Sequence, residues 1–543
     1  MNKKRILIGA VALLLVAAVA VGTVLLLQKG PGQDPTQPSQ SLPVVLDPVD
    51  DNYRTFYQIF VGSFSDSNGD GIGDLRGIIE RFDYLNDGNI NSGKSLGVQG
   101  IWLSPIFSSP SYHKYDAMDY YKVAARFGKM EDLQELIELC KKRNVKLILD
   151  LAINHTSNQH PWFTKFVEAR TNGNPNDPYF DYYTCVLEEE KRSGATYQRV
   201  GNTPYWYECN FSGDMPELNF DNEQVRQEML NVAKFYLDMG IDGFRFDAIK
   251  YIYYGDTARS VDFWEWYMAE LKKIKPDIYC VGECWSGETE ILEYYNAMNC
   301  FNFAGSQAEG VFATAAKGRS IDRFTQYVES FQKKVLERNP EGMVMSFLSN
   351  HDMDRIAGSF IYETQAYMAA NLYLLSSGSP VIYYGEEIGM RGSRGGANTD
   401  ANRRLAMLWG DGDTVRNPEG ATYSSDKQIK TTVADQMADE NSLYNYYCRL
   451  IAIRHRYPAI ARGSYTALSC GKDAFGGFLI EYEGEKLGLF HNTSNEEVTY
   501  DLSKCKALDG YTFAQLCDAI GAGTAKLEGN MLTIGAYTSV VLR

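Results

Sequence analysis

The chain has 543 residues, 44% of them hydrophobic and 22% charged, enough apolar material for a large core divided over two or three domains. Its formal net charge of −16 at pH 7 excludes the basic footprint of a nucleic-acid-binding protein and leaves neutral ligands open. Aromatic residues make up 13%, with 37 Tyr; most belong in cores and strands, and the rest offer flat faces suited to sugar rings.

In chain order, Lys3, Lys4 and Arg5 are followed by residues 6–27 without a charge. That run matches the roughly 20 apolar residues a membrane helix needs. It predicts an N-terminal anchor over residues 1–27, positive end inside, with the rest of the chain exported in a single-pass arrangement. Ala18-Val19-Ala20 offers cleavage as the alternative, which would secrete the protein. Residues 28–52 are rich in Pro, Gln and Ser and read as a semi-extended spacer.

From Tyr53 onward, short apolar β-rich runs alternate with helical patterns. Strands are predicted at 55–60, 100–103, 146–151, 243–246, 278–282, 298–303, 343–348 and 380–384, with helices between them at 129–142, 222–239, 261–273 and 364–375. This alternation predicts an α/β fold, a (β/α)8 TIM barrel over 53–154 and 214–457. Residues 155–213, rich in Asn, Pro, Tyr and Gly, read as an inserted subdomain after the third strand. Beyond Pro458 the helical pattern stops, and alternation at 477–482, 486–491, 497–500, 531–534 and 537–542 predicts a C-terminal antiparallel β-sandwich over 458–543. The ten Cys form no metal-binding spacing; Cys140, Cys280 and Cys284 fall at apolar positions, while Cys185 with Cys209, Cys505 with Cys517, or free thiols all remain open.

Several predicted barrel strands end in acids or His: Asp150-Leu151-Ala152-Ile153-Asn154-His155, Arg245-Phe246-Asp247, Glu283, and His351-Asp352. An unpaired carboxylate at a buried strand end is costly, so such residues need a purpose. In a barrel, the C-terminal strand ends form the active site. Earlier in the chain, Asp66, Asn68 and Asp70 place hard oxygen ligands at alternate positions, with the Ile72 carbonyl and Asp74 beyond them. The start of a Ca²⁺ loop has this pattern, although residue 77 is Gly where an EF-hand has Glu.

The four strand-end segments resemble, in order and placement, the four signature regions of the α-amylase family of glycoside hydrolases (family 13). Met215-Pro216-Glu217-Leu218-Asn219 resembles a fifth region, with Glu217 where Asp is more usual, and is similar to forms intermediate between oligo-1,6-glucosidases and neopullulanases. Arg404-Leu405-Ala406-Met407-Leu408-Trp409 resembles a segment of the oligoglucosidases, with departures at two positions. The resemblance implies a retaining mechanism with Asp247 as nucleophile, Glu283 as general acid/base and Asp352 gripping the distorted sugar. Arg245 is expected to keep Asp247 ionised, and His155 and His351 to contact the same sugar. Tyr112-His113-Lys114-Tyr115-Asp116 resembles the family segment that makes Tyr115 a stacking platform. Ala248 and Lys250 resemble the α-1,4-acting members. A structural Ca²⁺, with Mg²⁺ as the alternative, is implied at Asp66, Asn68, Asp70, Ile72 and Asp74. The expected enzyme is thus a monomeric, membrane-anchored, extracellular α-amylase, endo-acting on starch or maltooligosaccharides. An α-glucosidase or a glucanotransferase is the nearest alternative. A non-catalytic ectodomain partnering a transporter, or a starch-binding protein, fits less well, because transporter-partner ectodomains typically lack the carboxylates retained here.

Overall fold

The computed structural model describes residue 46 and residues 48–543. The predicted anchor and most of the predicted spacer lie outside the described residues. Among the described residues, no helix is long and apolar enough to cross a membrane.

A parallel sheet runs in the order Asn299–Cys300, Tyr279–Gly282, Gly243–Phe246, Lys146–Leu151, Gly100–Leu103, Phe56–Ile59, Val381–Tyr383. The segment 343–348 joins its two ends. Asn302 N–H donates to Met345 O at 2.9 Å on one side; on the other, Ser379 and Val381 N–H donate to Val344 and Ser346 O, both at 2.8 Å. The sheet thereby closes into a TIM barrel. Two strands differ from expectation. The sixth is only Asn299–Cys300 long, because Phe303 N–H bonds back to Phe301 O at 2.9 Å and bends the chain out of the ladder. The seventh station is consequently a single bridge, Phe301 with Met345, rather than a regular strand.

The surrounding helices form where apolar residues recur at helical spacing. Met130–Lys142 buries Leu133, Leu136, Ile137 and Cys140, a single stripe facing the sheet. Glu223–Met239 begins at Asn222, whose side chain accepts from Gln224 N–H, and ends at Gly240 with φ 106°. That left-handed turn feeds the strand Gly243–Phe246. At Gly243 the neighbouring strand approaches so closely that a Cβ would lie 1.8 Å from Tyr279 O. Glycine here lets strands four and five pack tightly, which brings their C-terminal residues together.

Between the third and fourth strands lie the helix Pro161–Asn172 and a small antiparallel sheet of Cys185–Leu187, Tyr205–Glu208 and Tyr197–Arg199. Glu217 returns to pair with His155 in an antiparallel bridge, so this excursion begins and ends beside the strand-three motif. The helical pattern does not stop at Pro458. Pro fits the first turn of a helix because its missing N–H has no partner there, and a short helix, Pro458–Arg462, follows.

The C-terminal region consists of a five-stranded antiparallel sheet, Ser464–Lys472, Phe475–Tyr482, Glu485–Asn492, Thr538–Leu542, Leu516–Gly521, and a three-stranded one, Val498–Asp501, Met531–Ile534, Ala525–Glu528. A separate core that includes Leu468, Phe475, Phe490, Leu532 and Leu542 holds this region together. All ten Cys are free, with neither Cys185–Cys209 nor Cys505–Cys517 bridged.

Candidate active site

At the C-terminal mouth of the barrel a cavity of about 590 Å³ is lined by Tyr115, His155, Asp247, Glu283, Asp352 and Arg404, among others. Three predicted carboxylates, from three different strand ends, thus open into one space together with the predicted platform Tyr115 and His155.

Arg245 lies beneath them, fully buried. Side chains alternate along a strand, so Arg245 and Asp247 share a face. Arg245 Nη1 donates to Asp247 Oδ1 at 2.8 Å and to Asp150 Oδ1 at 2.7 Å, and its Nη2 lies 2.8 Å from Glu283 Oε1. One guanidinium therefore spans the carboxylates of three adjacent strands. Asp150 is completed by Trp102 Nε1, donating at 3.1 Å, and Tyr115 OH, donating at 2.9 Å. Ala248 follows Asp247 in the left-handed region, φ 43°, and this turn aims its N–H at Glu283 Oε2, 3.2 Å away.

Electrostatics separate the three cavity carboxylates. Burial pushes Glu283 above the usual carboxylate range; Arg245 opposes this, and Asp247 and Asp352 add to it. A carboxyl that holds its proton more firmly than usual suits a general acid. Burial also raises Asp247, outweighing Arg245. Arg245 pulls this group toward its ionised form, as expected, although the desolvation it opposes is the larger effect. Asp352 moves the opposite way. Burial would raise it, yet His351, Arg404 and Arg245 together hold it well below the ordinary range.

His351 is buried and does not line the cavity. Its Nε2 lies 2.9 Å from Asp352 Oδ2 and 2.6 Å from Tyr115 OH, while Gln58 Nε2 bonds its Nδ1 at 2.7 Å. The Tyr115 and His351 rings stack with centroids 5.4 Å apart. His155 Nε2 meets Tyr115 O at 3.2 Å. Lys250 does not line the cavity either; its Nζ donates to Trp285 O at 2.8 Å, steadying the rim. Trp285 and Phe211 are 42% and 44% exposed at the mouth, bare aromatic surface of the kind that stacks on sugars.

Two charged residues at the heart of the site have no role assigned from the sequence. Asp150 reads there only as the end of a strand, and its pairing with Arg245 exists only once the strands are side by side. Arg404 reads there only as the first residue of a family-like segment. In the fold it reaches the cavity from a loop after the last barrel strand, where its Nη2 donates to Asp352 Oδ1 at 2.7 Å. No spacing in the sequence links Arg404 to Asp352.

The loop at Asp66 is wound by successive side-chain turns. Asp66 Oδ1 accepts from Asn68 N–H at 3.1 Å, Asn68 Oδ1 from Asp70 N–H at 3.0 Å, and Asp70 Oδ1 from Ile72 N–H at 2.8 Å. Asp74 caps the helix Leu75–Glu80 by accepting from Gly77 N–H at 2.7 Å. The donor chemistry suits a hard cation. The carboxylates are not gathered, however: among the described residues no three His, Cys, Asp or Glu side chains converge as a ligand set.

Residues 58–463 match the family model for the α-amylase catalytic domain. Alpha-amylase 3 of Dictyoglomus thermophilum is 35% identical over 501 residues, covering 90% of this chain and 92% of that protein. An oligo-1,6-glucosidase of Bacillus cereus is 31% identical, covering 82% of this chain and 91% of that protein. Among solved structures, Eubacterium rectale Amy13B superposes with a TM-score of 0.84 at 35% identity, over 94% of this chain and 99% of that one. A shared barrel alone would leave function open, since one fold hosts many chemistries. Here the match extends over the strands that carry the buried Arg245 and its carboxylates, and the chain belongs to the α-amylase family of glycoside hydrolases, family 13.

Proposed function

We propose that the protein is an α-amylase: a retaining, endo-acting hydrolase of α-1,4-glucosidic bonds in starch and maltooligosaccharides. The observation that carries this reading is Arg245 in contact with both Asp247 and Glu283 at the floor of an open cavity. Asp247 attacks the anomeric carbon while Glu283 gives its proton to the departing glycosidic oxygen, leaving a covalent glycosyl ester. Glu283, now a carboxylate, takes a proton from water as that water attacks the ester, which frees Asp247 and restores the acid. Asp352, held ionised, accepts from the sugar hydroxyls as the ring distorts toward the oxocarbenium-like transition state.

A second reading is favoured by one contact. Tyr112 lines both the catalytic cavity and a cavity of about 560 Å³ beyond it, and its OH accepts from Arg404 Nη1 at 3.0 Å. A partition of this kind on the Asp352 side, away from the acid Glu283, suits an α-glucosidase that removes single glucose units. A glucanotransferase follows if a sugar hydroxyl replaces water at the ester. Timed chromatography of products from starch, pullulan and maltoheptaose separates the three. Mixed oligomers early in the reaction support the α-amylase, glucose alone the glucosidase, and products longer than maltoheptaose the transferase. Asp247→Asn should abolish reducing-sugar release while keeping the melting temperature; full activity in that variant would overturn the mechanism.

We further propose the N-terminal segment as an anchor that holds a monomeric catalytic unit outside the cell, tested by fractionating cells expressing the full chain. A structural Ca²⁺, or Mg²⁺, is proposed at Asp66, Asn68, Asp70, Asp74 and the Ile72 carbonyl. It would neutralise the loop's acids and take no part in the chemistry. Chelation should therefore lower the melting temperature and added Ca²⁺ restore it; an unchanged melting curve would remove the metal from this loop.

A further inference from the structure

Arg404 ties the seventh-station carboxylate to a separate loop of the site. Its Nη2 donates to Asp352 Oδ1 at 2.7 Å, its Nε donates to His351 O at 3.0 Å, and its Nη1 donates to Tyr112 OH at 3.0 Å. The side chain is buried, with its guanidinium 5.4 Å from the Phe60 ring centroid and 5.7 Å from that of Tyr112. Asp352 needs this hold. It follows the barrel's irregular seventh station, where the ladder offers a single bridge in place of paired strands. Asp247 and Glu283, by contrast, follow strands in continuous register.

We propose that Arg404 is a positioning residue of this enzyme: it fixes the Asp352 carboxylate against the sugar and ties it to the Tyr112 loop, doing with a side chain what the sheet does for Asp247 and Glu283. The assignment rests on the glycosidase reading above. A planar fork that bonds a carboxylate, a carbonyl and a phenol at once cannot be replaced by a lysine ammonium without losing bonds, although the charge survives. The groups facing Asp352 are His351, Arg245, Asp247 and Glu283 from the barrel, Tyr115, Tyr112 and His113 from the loop after strand two, and Arg394, Asp400 and Arg403 from the loop that also carries Arg404. The direct side-chain partners of its carboxylate are His351 and Arg404 itself.

The test measures kcat and KM on maltoheptaose for wild type, Arg404→Gln and Arg404→Lys, with melting temperatures as the folding control. Misplacing a transition-state contact by about 1 Å can cost about 10²-fold, and Arg404→Gln should lose kcat/KM on that order, mostly in kcat. Arg404→Lys, which keeps the charge but loses bonds, should restore only part of kcat. A merely structural arginine would lower the melting temperature and leave kcat of the folded variant at the wild-type level, and that result overturns the proposal, as does kcat/KM within roughly twofold of wild type in Arg404→Gln. If Arg404→Gln does not fold, Arg404→Lys decides alone: a lowered kcat at an unchanged melting temperature supports the proposal, and a wild-type kcat overturns it. Wild type inactive on every glucan would instead sink the glycosidase reading, so the two failures are distinct.

Discussion

Asp150 and Arg245 form a charge pair with no exposed side-chain surface on either partner. Such a pair is a poor source of net stability, since desolvating two charges costs about as much as their attraction returns, yet breaking one leaves the other buried and uncompensated. Asp150→Asn leaves Arg245 paired with Asp247 and Glu283, so it should destabilise the protein by less than the about 3–5 kcal/mol of an uncompensated buried charge, read from denaturant unfolding, and reduce activity by loosening the three-way contact. The pH profile of the wild type follows from the same cluster. Glu283 must be protonated and Asp247 ionised in the free enzyme, and burial raises both. Activity should fall as pH drops through the raised value of Asp247 and fall again as pH rises through that of Glu283. Both limbs of kcat/KM should thus lie above the ordinary carboxylate range, and Glu283→Gln should remove the alkaline limb along with most turnover. The individual acids are legible in the sequence because a carboxylate at the end of an apolar run is anomalous. Their relative acidities are not, because burial and the count of nearby cations exist only after folding.

Among the elements, the turn after strand four carries the sharpest constraint. Ala248 holds φ 43° and ψ 49°, a left-handed conformation that costs a residue with a Cβ roughly 1–2 kcal/mol. Its N–H bond to Glu283 is what the turn secures. Branching at Cβ makes this conformation worse, so Ala248→Val should lower the melting temperature, whereas Ala248→Gly should relieve the backbone at some cost in unfolded-state entropy. Differential scanning calorimetry of the two variants checks the sign of each. Element placement is readable wherever a short apolar run is bounded by turns: the strands at 100–103, 146–151 and 243–246 fall where such runs put them. The sixth and seventh stations are not readable, because their residues have strand composition and the loss of ladder comes from a local Phe303-to-Phe301 bond. The strand Ser464–Lys472 escapes too, since Ser, Thr, Cys and Gly dilute its apolar alternation. The short helix beginning at Pro458 shows the converse error, a residue read as a stop where it serves as a start.

At the scale of the whole molecule, no covalent cross-link supports the two cores. Ten free thiols, eight of them buried, pack as small apolar side chains. A reducing agent should leave the melting temperature unchanged, and thiol labelling in denaturant should count ten reactive groups; fewer would reveal a bridge. The barrel's organisation also divides the labour of the site. The pair that makes and breaks bonds is set by backbone pairing between adjacent strands, a spacing that no single side-chain change can alter much. The residue that grips the sugar is set by side chains arriving from distant loops. Substitutions in those loops can therefore retune which glucan is held, and how firmly, while the bond-breaking chemistry stays fixed. A family built this way can diversify its substrates one loop at a time without reinventing its reaction.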